Sequence, residues 1–395
     1  MIYLLCKNIL HGRHIVRASI TYERLFVRNP SSIFLKFISN GAGANHYSFA
    51  VSYLINSCGF SPESALRASK YLHFETPGKP DSVIAFLKNH CLSETQISTV
   101  IKKLPDVLTA NPEKTLLPKL DFFYSKGFSS AEIAKVITSQ PFILRRSIEN
   151  QLNPCFNFFK NMLKSEKKTV EAIKRGPGIL RLDLKRTPIV RNINLLRESG
   201  VPESIILDQL RRQPLTFLTN PDRFRDMVEE VKGLGFNPLM SKFVLAVYAL
   251  RTMTKSTWEM KVDVYKKWGW SDEDIILAFS RNPWCMMTSE NKIMAVMDYI
   301  VNIMGLESLF ICRSPVILSF SMEKRIVPRG SVAQILLLKG LIKERNLSRL
   351  FSYPENLFLE KFVKCYEEEA PELLKLYTEK LGLSKKLGSV GLNNT

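Results

Sequence analysis

The sequence predicts an all-α fold: a superhelical solenoid, of right or left hand, built from about nine helix-turn-helix repeats. A proline recurs every thirty-odd residues, a glycine stands fourteen residues ahead of it, and apolar side chains keep fixed offsets from both. The prolines are Pro105 (KKLPDVL), Pro141 (TSQPFIL), Pro177 (KRGPGIL), Pro214 (RRQPLTF), Pro283 (SRNPWCM) and Pro315 (CRSPVIL). Their steps are 36, 36, 37, 69 and 32, and the long step divides into 35 and 34 if Ala249 stands where a proline is missing. A period in this range marks supersecondary units that bury their apolar faces only against their neighbours.

Residues 1–44 precede the repeats and read as an organelle targeting peptide and linker. Arg13, Arg17, Arg24 and Arg28 are spaced 4, 7 and 4, which gathers them on one narrow arc of a helix. Ile15, Ala18, Tyr22, Leu25 and Phe26 fall opposite, and the segment holds six basic residues against one acid. An arginine-rich, acid-poor amphipathic helix is the pattern of an import signal; the alternative is an amphipathic helix packed on the body of the protein. SNGAGANH, residues 39–46, suits a processing site or linker.

The repeats occupy residues 45–365, starting near His46. Glycines lead the prolines by fourteen residues at Gly127, Gly200, Gly235 (before Ala249) and Gly269. Gly59 then predicts a proline equivalent at His73, where the proline has been lost. In PKLDFFYSKG, Pro118 suits an early helical position and Gly127 a left-handed cap. Ser93 with Gln96 and Ser129 with Glu132 have capping-box spacing and start the second helices. The proline then ends each second helix by disfavouring helical geometry at the residue before it.

Four residues before the proline position stand Ile101, Ile137, Ile173, Leu210, Leu245, Phe279 and Ile311. Three residues after it stand Leu108, Leu144, Leu180, Phe217, Met286 and Leu318, with Thr252 the exception. YALRTM departs most, since alanine lets its helix continue and Arg251 offers only a substitute cation. Residues 366–395 read as a capping helix with a frayed end.

The LPxxL-like motifs at this spacing resemble the mitochondrial transcription termination factor (mTERF) family, its plant organellar branch in particular. SYLINSCGFSPESAL (52–66), KTLLPKLDFFYSKG (114–127) and RIVPRGSVAQILLLKGLI (325–342) carry the resemblance, which extends from about His46 to Val363. It implies two α-helices and a short 3₁₀ turn per repeat, a place in mitochondria or chloroplasts, and nucleic acid held in a positively charged groove.

The charge is consistent with such a partner: 56 Lys and Arg against 37 Asp and Glu give +19. Two residues before the proline stand Lys103, Arg175, Arg212, Arg281 and Arg313, and three before it Lys102, Lys174 and Arg211. Stacking would line these up as a stripe able to track phosphates. The last turn of a helix also favours cations for its own sake, by ~0.3–1 kcal/mol, so each has an innocent explanation. In the repeat of Pro141, Arg145 and Arg146 follow the proline instead. These ten residues are the candidate nucleic-acid contacts.

Other functions are poorly supported. The longest apolar run, FVLAVYAL, is far below the roughly 20 residues of a membrane span. Seven scattered cysteines form no metal or disulfide framework. The last 305 residues contain no histidine, and no catalytic or nucleotide-loop motif appears, so neither enzyme, cofactor nor metal is expected. Asp272, Glu273 and Asp274 sit where acids serve a helix start. Phe122, Phe123, Phe158 and Phe159 have core spacing, and Trp284 is expected to fill its apolar turn.

The sequence thus predicts a monomeric mitochondrial protein, or alternatively a chloroplast one, that binds double-stranded DNA and regulates organellar gene expression through transcription termination or regulation. An RNA-binding role in intron splicing or ribosome biogenesis is the alternative, and a protein-binding scaffold the alternative of another class.

Overall fold

Each hairpin turns from its first helix to its second through a residue with positive φ. Gly59, Cys91, Gly127, Lys164, Gly200, Gly235, Gly269, Gly305 and Gly340 hold these positions, with φ from 52° to 84°. The computed structural model describes residues 48–390, and side chains as far as 382; the expected targeting segment lies outside them. Within the described residues all regular structure is helical, and there are nine hairpins.

The first helices are Phe49–Asn56, Gly78–Asn89, Leu117–Ser125, Asn153–Leu163, Ile189–Glu198, Pro221–Gly233, Lys255–Lys266, Glu290–Asp298 and Val327–Leu338. Their partners are Pro62–Ser69, Glu94–Lys103, Ser130–Ser139, Glu166–Arg175, Glu203–Arg212, Ser241–Thr252, Asp272–Arg281, Leu309–Arg313 and Leu347–Ser352. Both predicted capping boxes form, at Ser93 with Gln96 and at Ser129 with Glu132. A third forms where Asp274 answers Ser271, so the acidic run there is a helix start.

The prolines open 3₁₀ turns at Pro105–Thr109, Pro141–Arg145, Pro177–Arg181, Pro214–Leu218 and Pro315–Ser319. After Pro283 the turn is a short α-helix, Trp284–Met287. Where Ala249 replaces the proline, the helix runs on to Thr252, and Met253 rather than Thr252 is buried. Six of the seven residues four before the proline position are buried; Leu245, in the altered repeat, is half-buried. All six apolar residues three after it are buried.

Trp284 corrects the sequence expectation: it is 40% exposed, edge-on to Tyr248 with ring centroids 6.2 Å apart. Pro283, Cys285 and Met286 take the inward side of this turn, which leaves the residue directly after the proline facing out.

The chain divides into two compact units, the first of residues 48–187 with Leu210–Leu218, the second of Pro188–Gln209 with the chain from Thr219 onward. In the first, the helices Glu94–Lys103, Ser130–Ser139 and Glu166–Arg175 pack in succession. Gly176 permits the next turn to approach closely, because a β-carbon there would lie 2.8 Å from Cγ of Pro214. In the second, Asp272–Arg281 packs on Leu309–Arg313, and Leu373–Val390 covers Val327–Leu338.

A buried arginine ties off the last hairpin of the second unit. Arg329 is wholly buried and donates from one terminal nitrogen to the carbonyls of Leu350, Phe351 and Tyr353, at 2.6–3.1 Å. Its other terminal nitrogen meets Glu355 at 2.9 Å, and the guanidinium lies 4.3 Å from the Phe358 ring centroid. A buried cation is tolerable only with such a complement of acceptors.

Candidate nucleic-acid interface

The proline-ended second helices place their last-turn cations at one corner of each repeat. Because these helices pack in succession within the first unit, Lys102 and Lys103 stand one repeat before that of Pro141 and Lys174 and Arg175 one repeat after it, with Arg211 and Arg212 following in the chain. Arg281 and Arg313 belong to the second unit. Proximity does not leave them equally available.

Some of these cations hold one repeat to another. Lys103 donates from Nζ to the carbonyls of Thr138 at 3.1 Å and Ser139 at 3.4 Å, the end of the following second helix. Arg281 does the same to the carbonyl of Cys312 at 3.1 Å. Both neutralise helix C-termini in the neighbouring repeat, where the dipole is negative.

Others pair with carboxylates of the preceding repeat. Lys174 meets Glu132, Arg211 meets Glu171 at 2.7 Å, and Arg145 donates from Nε to Asp106 at 2.9 Å. Hydrogen bonding from Lys174, assisted by the Ser129 backbone N–H, holds the Glu132 carboxyl below its ordinary range. Hydrogen bonding from Arg211 does the same to Glu171. Arg313 reaches Glu307 of its own repeat at 3.7 Å.

Lys102 and Arg175 are exposed, and Arg146 is half-exposed, and their side chains make no hydrogen bond or ion pair to another described residue. Arg146 faces a cleft of about 470 Å³ in the first unit. Arg181 and Lys185 line the same cleft, with the amide side chains of Asn150 and Gln151. Arg181 meets only neutral groups, donating to Oε1 of Gln140 at 3.2 Å and lying 5.1 Å from the Phe142 ring centroid.

Arg181 and Lys185 were not among the sequence candidates. Arg181 was nonetheless legible, since PFILR and PGILR put Arg145 and Arg181 at the same place, four residues after the proline. Lys185 lies in the stretch RLDLKRTP after the 3₁₀ turn, where no repeat position signals it.

A family model, mTERF, matches residues 84–307, more than half of the chain. The chain belongs to the mTERF family. The mTERF proteins are nucleic-acid-binding helical-repeat proteins and not typically enzymes, and the hairpins and proline turns seen here are that repeat. No curated protein matches this mTERF chain. Among the described residues no helix is long and apolar enough to cross a membrane, and no group of three or more His, Cys, Asp or Glu could hold a metal ion.

Proposed function

We propose that this protein binds double-stranded DNA in the mitochondrion and regulates transcription there, with termination as the step. The observation that carries the binding is the set of cations without a carboxylate partner in the first unit: Lys102, Arg146, Arg175, Arg181 and Lys185. A cation already paired with a carboxylate must give up one charge for another, whereas these have no carboxylate to give up. The sequence candidates paired across repeats, Lys103, Arg145, Lys174, Arg211 and Arg281, contribute chiefly by keeping the repeats in register.

The order of the motifs supports the plant organellar branch, and residues 1–44 are proposed as the import signal. The chloroplast is the alternative address. Phosphate contacts position a duplex without reading it, so sequence preference requires further groups beside the cations.

Structured RNA is the second reading, favoured by Trp284 and Tyr248, since an exposed ring can stack on an unpaired base. Sequencing nucleic acid crosslinked to the protein in isolated organelles decides between them. Recovery of duplex DNA at defined sites is the expected result. Recovery of intron or ribosomal RNA would select the second reading, and recovery of neither, with an organellar protein captured instead, would leave the scaffold reading.

A further inference from the structure

The cleft of the first unit differs from the rest of the basic surface in shape, in charge balance and in what lies at its base. It opens between the start of helix Asn153–Leu163 and the stretch 181–185 that follows a 3₁₀ turn. Pro154, Leu182 and Leu184 give it apolar lining. The buried Cys155, also in the lining, donates from its thiol to the Leu182 carbonyl at 3.5 Å. Burial pushes that thiol up to about 11, against the opposing pull of the Arg146 charge, which keeps it protonated at neutral pH.

Three cations line the cleft, and one carboxylate accompanies them. Asp183 is engaged locally, accepting the Lys185 backbone N–H at 3.0 Å and facing Arg186 at 3.8 Å. Elsewhere in this unit Arg145, Lys174 and Arg211 each have a carboxylate, but Arg146, Arg181 and Lys185 have none. The side-chain amides of Asn150 and Gln151 make no hydrogen bond to other described residues either. Cations, unengaged amides and apolar walls thus share one concavity, whose volume lies within the range that receives small molecules.

We propose that this cleft is a nucleotide site that takes one nucleoside phosphate, either free or as the phosphorylated end of a strand. Arg146, Arg181 and Lys185 hold the phosphate; a terminal phosphate carries close to two charges at neutral pH, against one for an internal phosphodiester, and a three-cation site favours it accordingly. The apolar lining takes a face of the base and the two amides its edge. A flat stripe of cations would track a backbone, but a concavity of about 470 Å³ suits a single unit of it. Only the strand-end form rests on the nucleic-acid reading.

The test is calorimetry of the full chain with AMP, GMP, CMP and UMP, alongside the matching nucleosides and inorganic phosphate. At least one monophosphate is expected to bind tenfold or more tighter than both its nucleoside and phosphate. Arg146→Gln combined with Lys185→Gln is expected to weaken it at least tenfold, with an unchanged circular dichroism spectrum and melting midpoint. Lys232→Gln, which removes a half-buried charge paired with Glu229 in the other unit, is expected to leave it unaltered. Oligonucleotides with a 5′-phosphate or a 5′-hydroxyl then separate the sources: a tenfold preference for the phosphate assigns the site to strand ends, and equal affinity assigns it to free nucleotides. Monophosphates that bind no tighter than inorganic phosphate, or that bind the double variant as well as the parent, overturn the proposal. Duplex binding measured in the same buffer tests the function separately, and its failure would leave the mononucleotide result standing.

Discussion

Lys102 and Lys103 are neighbours in the chain, both exposed, with different work. Lys103 spends its ammonium on the carbonyls of Thr138 and Ser139, while Lys102 carries no partner among the described residues. Lys102→Gln is therefore expected to lower the slope of log affinity against log salt by about one, leaving thermal stability unchanged. Lys103→Gln is expected to cost about 1 kcal/mol of stability and to leave that slope alone. Anisotropy titrations on duplex DNA over a range of salt, paired with urea unfolding, check both, and an equal change of slope in the two variants would refute the division. The sequence made the cations legible because a proline-ended helix fixes where its last turn falls. It could not show which were engaged, because the partners of Lys103, Lys174 and Arg281 stand 31 to 42 residues away and depend on how repeats pack. Arg181 carried a weaker signal, since four residues after the proline an arginine recurs only at Arg145 and Arg181, too seldom to mark a repeat position.

At the scale of the element, the left-handed cap decides each hairpin, and seven of the nine are glycine. Lys164 and Cys91 hold the same conformation with a β-carbon, at a penalty of roughly 1 kcal/mol or somewhat more. Lys164→Gly is expected to stabilise the first unit by up to about 1 kcal/mol, the gain being reduced by the added freedom of the unfolded chain. A higher urea midpoint with an unchanged slope is the readout, and a lower midpoint would contradict it. Glycines and prolines constrain the backbone wherever they stand, which is why the hairpins were legible without any knowledge of packing. The ninth hairpin keeps the same step, from Gly340 to Pro354, with Leu350 buried four residues before the proline. Gly305 stands only ten residues before Pro315 because the second helix there has shrunk to Leu309–Arg313. The exposure of Trp284 was not legible, since an aromatic beside a proline turn can face either way and only the burial of Cys285 and Met286 settles it.

At the scale of the whole molecule, a chain of charge +19 is held together in part by the few acids that face its cations. The Glu132 and Glu171 carboxyls sit below their ordinary range in the folded protein, because hydrogen bonds from Lys174 and from Arg211 favour their ionised forms. A carboxyl depressed in this way contributes stability that is complete above its unfolded value of about 4.3 and is lost as pH falls through the lower folded value. The same fall in pH neutralises other acids, so the positive excess grows and the repeats repel one another. The melting midpoint is accordingly expected to vary little from pH 7 to about 5 and to drop below about 4.3. Salt added on the acid side should raise it by screening the repulsion. Replacing both glutamates, Glu132→Gln with Glu171→Gln, should lower the midpoint at neutral pH and make the acid drop shallower, since the groups whose protonation drives part of it are gone. Calorimetric melting of the two proteins at matched pH and salt measures this, and an acid drop of undiminished steepness in the double variant would mean that repulsion alone, and not the loss of these inter-repeat pairs, opens the array.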